Sequence, residues 1–554
     1  MPEEEKPMKH FRFRTSCISL LLALAMLAAS LCACAVPGEP TASQTDPSNT
    51  AVTSADASEN NAETTPSCSL PELDYGGDEI VILSRYREGW TAGEIAVESI
   101  LHEPVNDAVY ERNKIVEDRL NIKIRSVEIN CEGAIEIVEK MMTSVGGGSH
   151  EYDLVAAACY TVVDNSLTGN LRDLRKSAYL DFDKPWWSQG FNESIEYKGM
   201  QFAVTGAAVL SMYRFAFATL FNKRLFTEAK VDYLYDNVRN GTWTLDYQNS
   251  IVETFYRDNG NGLQDETGDI YGFVSNDYIG VDPYWSACNV RILERDENGD
   301  YTFDNFDAQK LQNVAEKVLQ LFYGHGNASY DYKHYGNDAE QDDIRNMFAA
   351  GNAAMATLRI MALESAVMRD MKDEYGVVPM PKYDEAQKDY GTLLHDQFTV
   401  LSIPKTALDD RRDRISAVME ALCYTSYNIV RPAYYDVALR SKLVSDPDSA
   451  EMLDLLFSKV YIDAGVIYTG PLSGFHDQFR QLMGQKSNRV MSTYQKKARS
   501  TRSALQKNIV QKLQKLYDSG NACHGVRPRI HCSTFRHKKT HIRRKFRAGL
   551  QSGR

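Results

Sequence analysis

The chain is 554 residues long, is 43% hydrophobic and carries a formal net charge of −13. That length exceeds what one ordinary hydrophobic core supports and predicts more than one lobe. After Asp518 there is no acid but ten Lys or Arg, so residues 1–518 carry −23, a balance that argues against nucleic acid as a partner. The basic tail, 519–554, has no hydrophobic period. It reads as a disordered extension or as translation past the natural end, in preference to a nucleic-acid or anionic-lipid arm. Cysteine is sparse in the body (Cys131, Cys159, Cys288 and Cys423). No pair has metal-ligand spacing, and no disulfide framework can be read.

At the N-terminus Lys9, His10, Arg12 and Arg14 precede an apolar run at 18–29, and small residues follow. This is the layout of a bacterial secretory signal. The run is shorter than the roughly 20 residues that span a bilayer, which disfavours the alternative of a transmembrane anchor. The sequence at 31–34 (LCAC) resembles the lipobox of bacterial lipoproteins. The resemblance implies lipidation of Cys34 as the mature N-terminus. Cys32 fits less well, because Leu31 would fill the small-residue position. Residues 1–33 are therefore expected to be a signal peptide, with Met8 as an alternative start after the acidic 1–6. Residues 34–77 are rich in Ser, Thr, Ala, Asn, Asp and Pro. Such a segment buries too little to repay its ordering entropy and is expected to be a disordered linker. It would hold a body at 78–518 off the outer face of the cell membrane.

Along the body, 78–84 is a short apolar run that predicts a buried strand. Helical spacing follows at 106–120, strand alternation at 121–127, a second helix at 134–145 and another buried strand at 153–158. Strand, helix, strand, helix, strand predicts a parallel α/β lobe. Gly146, Gly147 and Gly148 follow a helix and lack the lysine of a phosphate loop. Residues 197–206 read as a hairpin feeding an extended crossing, and 216–221 as an apolar strand. Thr244 is placed to cap a helix.

Five motifs occur in order: KGMQFAVT at 198–205, LFNKRLF at 220–226, TWTLD at 242–246, MFAAGNAAM at 347–355 and YGVVPMPK at 375–382. Their order and spacing resemble the large, carbohydrate-type extracellular solute-binding proteins of bacterial ABC importers. The resemblance implies an α/β, two-lobe periplasmic-binding-protein-like fold whose hinge crossovers let the lobes close on a solute. It implies a monomer with no catalytic activity, partnered by ABC permease subunits, with the membrane reached only through the lipid anchor.

A pyranose presents an apolar face and a rim of hydroxyls, so it calls for flat aromatic surfaces and planar hydrogen-bonding side chains. All five tryptophans lie in the body. Trp243 falls in the helix-start motif and reads as structural. Trp90, Trp186, Trp187 and Trp285 fall in loop-like stretches and are candidate substrate-binding residues, each weighed against ordinary packing. Tyr213 and Arg214, just after the first crossover, and Asp396, in a polar stretch before a strand, complete the set.

No cofactor is expected. The stretch holding Asp258, Asn259, Asn261 and Asp265 resembles a calcium loop, but Gly262 at loop position six puts Arg257 at position one. An Asn/Gly turn is the simpler reading. Against an enzyme, the body histidines (His102, His150, His325, His334, His395 and His476) show no zinc-protease spacing, no Gly-x-Ser-x-Gly elbow is present, and no carboxylate pair stands out for glycoside hydrolysis. A surface glycan-binding or sensory module without transport remains the second reading.

Overall fold

The computed structural model describes residues 67–522, apart from 266–267, 333–338 and 441–445. The predicted signal peptide, Cys34, most of the predicted linker and residues 523–554 of the tail lie outside the described residues. Among the described residues no helix is long and apolar enough to cross a membrane.

Two sheets organise the body. The first contains β1 (Asp78–Tyr86), β2 (Ile122–Asn130), β3 (Leu154–Ala158) and a late strand (Thr399–Ser402), in the order late strand, β3, β1, β2. β1 pairs in parallel with β2 and β3, while the late strand runs antiparallel to β3 with Thr399 opposite Ala158. The predicted parallel lobe thus gains an antiparallel edge from a segment more than 200 residues downstream, a pairing that no local pattern announces. The helices Pro104–Leu120 and Ile135–Gly146 are the crossovers. Successive β1 side chains point to opposite faces. Ile80 and Ile82 join one cluster with Val116, Leu120 and Ile415, while Val81 and Leu83 join the other. The helix Asp409–Thr425 is tied to this sheet by Arg411, whose guanidinium donates to both oxygens of the buried Asp153 at 2.6 and 2.7 Å.

The second sheet contains β4 (Phe217–Asn222), β5 (Tyr271–Asn276), β8 (Ser329–Tyr332), β9 (Ala353–Arg359) and β10 (Tyr375–Val378), in the order β10-β4-β9-β5-β8. The intervening β6 (Glu294–Arg295) and β7 (Tyr301–Thr302) form a separate two-stranded ribbon, and the late strand of the first sheet is β11. The helix Leu245–Phe255 is capped as predicted, with the Thr244 hydroxyl accepting from the Tyr247 amide at 3.2 Å. It lies so close to β5 that a Cβ on Gly272 would sit 1.9 Å from the Val252 carbonyl oxygen, so only glycine fits there.

Three stretches of chain join the sheets. Residues 204–217 and 393–401 run antiparallel, with the Phe217 amide donating to Leu393 and the His395 amide to Phe215, at 3.0 and 2.9 Å. Thr392 then pairs with the segment at 459–461.

The ordered body begins earlier than the predicted boundary at Asp78. Leu70 is buried, Cys68, Leu73 and Tyr75 pack against the second core cluster, and the Tyr75 amide donates to Leu120 at 3.0 Å. At the other end the last helix, Gln511–Ala522, runs past Asp518.

Candidate site between the two sheets

The joining segments bring the ends of both sheets to one place. β1 ends at Arg85 and Tyr86, and a tight turn follows in which the Trp90 amide donates to the Arg87 carbonyl at 3.0 Å and Gly89 takes a φ of 68°. β3 delivers Cys159 and Tyr160, whose amides donate to the carbonyls of Phe398 and Asp396. The second sheet supplies Arg359 at the end of β9 and Asp282 after β5. Arg480 comes from the helix Asp477–Gly484 and donates to Asp282 from Nε at 2.7 Å, with a second contact between Nη2 and the other carboxylate oxygen.

Cys159, Tyr160, Asp282, His395, Asp396 and Arg480 enclose a cavity of about 20 Å³. That is room for one water, far below the roughly 300–1,000 Å³ of small-molecule sites, so a solute enters only if the sheets part. Burial makes charge costly here. It pushes the Asp396 carboxyl up to about 6, partly offset by Arg480. It also holds His395 well below the usual imidazole range, with Arg359, Arg480, Arg87 and Arg85 adding to the effect. His476 is pushed down to about 3, by burial first and Arg480 second. His395 Nδ1 and His476 Nε2 are buried and have no partner among the described residues. Two neutral imidazoles, a partly exposed carboxylate and an arginine therefore face one small space. That set can donate to and accept from hydroxyls.

A larger cavity, of about 540 Å³, lies elsewhere, lined by Trp285, Arg291, Gln387, Lys459 and Tyr461 among others. Three of its charges are engaged: Lys459 pairs with Asp389 at 2.9 Å, and Arg291 lies 3.6 Å over the Tyr461 ring. The smaller cavity, where two buried imidazole nitrogens without a partner among the described residues face Asp396 and Arg480, is the stronger candidate.

The sequence-predicted residues divide between the site and the core. Asp396 lines the cavity. Trp90 stands beside it, with His395 and Phe215 at its edges, 5.6 and 5.1 Å between ring centres. The guanidinium groups of Arg87 and Arg359 lie over its ring at 3.7 and 4.5 Å. Trp285 sits in the short helix Pro283–Ala287, not in a loop. It is buried against His476, Phe479 and Tyr494, and so backs the site through His476.

Tyr213 and Arg214 do not line the cavity. Tyr213 is buried against Tyr434, Tyr435 and Phe457, and Arg214 makes a two-pronged pair with Glu364 at 2.9 Å. Trp186 and Trp187 are corrected outright. Both are buried in the core of the first sheet, and their indole N–H groups donate to the buried Glu420 at 2.9 and 3.0 Å. A stacking ligand cannot reach them.

The calcium candidates form a turn network. The Asp258 carboxylate accepts from the amides of Gly260 and Gly262, and Asp265 accepts from the Asn261 side chain at 2.6 Å. Among the described residues no group of three or more His, Cys, Asp or Glu is placed to hold a metal.

Sequence reasoning missed Tyr160, Asp282, His395, Arg359, His476 and Arg480 as site residues. Asp282 lies three residues before Trp285, within a stretch already singled out. Arg480, in a C-terminal helix without a motif, has no local signal.

No family model matches the sequence, and no curated protein is similar to it. Solved structures are similar. The galacto-N-biose-/lacto-N-biose I-binding protein of an ABC transporter from Bifidobacterium longum, in complex with lacto-N-biose, superposes with a TM-score of 0.51 at 12% identity. The match covers 78% of this chain and 98% of that one. The chain has the two-lobe fold of ABC-transporter solute-binding proteins. The GacH receptor of Streptomyces glaucescens GLA.O, solved unliganded and with acarbose, gives 0.49 at 15% identity, covering 78% of this chain and 99% of the other. In this chain Trp90, His395, Asp396, Asp282 and Arg480 meet between the two sheets.

Proposed function

We propose that the protein is the substrate-binding component of an ABC importer. It captures a carbohydrate between its two lobes and passes it to a membrane permease. The observation that carries this reading is the convergence of hydrogen-bonding and aromatic side chains from both sheets on one cleft, in a fold whose solved examples include a disaccharide-binding protein of an ABC transporter. Neutral imidazoles and carboxylates suit a rim of sugar hydroxyls. Solute favours the closed arrangement by as much as its affinity for that state exceeds its affinity for the open one. The protein carries out no chemistry on its solute and works as a monomer.

Thermal melting of the purified protein against saccharides, amino acids and peptides tests the reading. A ligand bound only by the native state stabilises it by RT ln(1 + [L]/Kd), so the melting temperature climbs as ligand is added. A rise with one saccharide class is expected; a rise with peptides alone would reject carbohydrate as the solute. Lipid attachment at Cys34, holding the exported body at the outer face of the membrane, belongs to the same proposal. Cys34→Ser is expected to move the protein to the soluble fraction, and continued membrane association would reject the lipid anchor.

A further inference from the structure

The larger cavity has no part in the cleft described above, yet at about 540 Å³ it falls within the roughly 300–1,000 Å³ of small-molecule sites. The two cavities stand back to back. Val466 lines both, while Gly391 and Tyr461 line the larger one and their near neighbours Leu393 and Ile462 line the smaller. Trp285 belongs to the same wall: it lines the larger cavity, and its ring packs on His476 of the smaller one at 5.1 Å between ring centres. With the joining stretches between them, the two spaces can be filled at the same time.

The wall of the larger cavity is firmly held. The buried Asp463 accepts from the amides of Ile292, Leu293 and Gly465 at 3.1, 3.2 and 2.6 Å. The helix Gln189–Ile195 comes so near that a Cβ on Gly190 would sit 2.2 Å from the Val460 carbonyl oxygen. What stays open is hydrogen-bonding capacity. Trp285 is 1% exposed, and its indole N–H has no partner among the described residues. A buried donor without an acceptor is costly, and a ligand oxygen removes that cost. Ser286, Asn289 and the Arg291 guanidinium add hydroxyl, amide and further N–H groups to the lining, beside the apolar surface of Val290, Val460 and Val466. Charge is nearly balanced: Arg291, Lys388 and Lys459 stand against Asp389 and Asp463, and Lys459 is spent on Asp389 at 2.9 Å.

We infer that the larger cavity is a second binding site, for a neutral mono- or disaccharide, filled alongside the cleft. An uncharged, oxygen-rich ligand with apolar ring faces answers each property of the lining. Its hydroxyls accept from the Trp285 indole and from Arg291, and they donate to the side-chain oxygens of Asn289 and Ser286. The balanced charge gives an ion no advantage there. The inference goes beyond capture in the cleft and does not depend on what the cleft holds.

Calorimetric titration of the full protein with glucose, galactose, maltose and lactose tests this. At least one of the four is expected to fill two sites per chain. Ala386→Trp places an indole at an exposed position of the cavity lining and should abolish one of the two. Arg291→Ala should weaken the same site at least about tenfold. Both variants are checked for folding by circular dichroism, and in both the other site should remain. A single site, unmoved by either variant, would overturn the inference and leave capture in the cleft standing. Two sites that both survive Ala386→Trp and Arg291→Ala would overturn it as well. No binding of any of the four would overturn the inference, while the wider melting panel of saccharides decides the capture reading separately.

Discussion

Trp186 and Trp187 on one side and Trp90 on the other are the same residue type in opposite settings. The first two share Glu420, which also accepts from the Asp181 amide at 3.3 Å, so a buried carboxylate and two buried indoles satisfy one another. Such a knot is complete without a ligand. Near Trp90 and the cavity, His395 Nδ1 and His476 Nε2 are buried with no partner among the described residues, and the partly exposed Asp396 lies 3.8 Å from His395. Two buried imidazole nitrogens without a partner line the cavity, whereas the two indoles on Glu420 are fully paired. Burying a polar atom without a partner costs about 1–3 kcal/mol, and a binding protein can recover that cost when its ligand arrives.

The largest effect expected from this contrast lies at Glu420. Glu420→Leu strands two indole donors and should cost about 2–5 kcal/mol of stability in urea titration at pH 7. Sugar affinity per folded molecule should not change; a loss of affinity without loss of stability would return Trp186 and Trp187 to the site. Glu420 also has a pH signature. Burial pushes its carboxyl up to about 7 from an ordinary 4.5, partly offset by its three donors. Because the folded value lies above the unfolded one, its contribution is complete below about pH 4.5 and is lost as the pH rises through 7. The stability difference between the native protein and Glu420→Leu should therefore shrink over that window, by up to about 3 kcal/mol.

A smaller effect belongs to the cleft. Trp90→Ala should weaken saccharide binding by about 1–3 kcal/mol, read by calorimetry on protein shown to be folded. Unchanged affinity would remove Trp90 from the site and sharpen the contrast around His395 and Asp396 instead.

Much of the fold is legible in sequence because buried strands write themselves as short apolar runs. β1, β3 and β4 are such runs, and the helices between the first three strands carry their own spacing. β11 is different: Thr399–Ser402 is a short strand whose partner β3 is remote, and distant pairing leaves no local trace. The site is legible only in part. Trp90 and Asp396 were within reach because polar and aromatic residues interrupt apolar stretches there. Trp186 and Trp187 misled because a loop-like sequence says nothing about which side of the chain faces the core, and Glu420 lies 234 and 233 residues away from them. Arg480 enters from the C-terminal part of the chain, so only the folded topology brings it to Asp282.

The central claim is that solute is captured by closure of the two lobes. Small-angle X-ray scattering of the purified protein, with and without a saccharide that binds it, tests this most directly. The account predicts a smaller radius of gyration when the sugar saturates the cleft. Saturating sugar with an unchanged radius of gyration would contradict it.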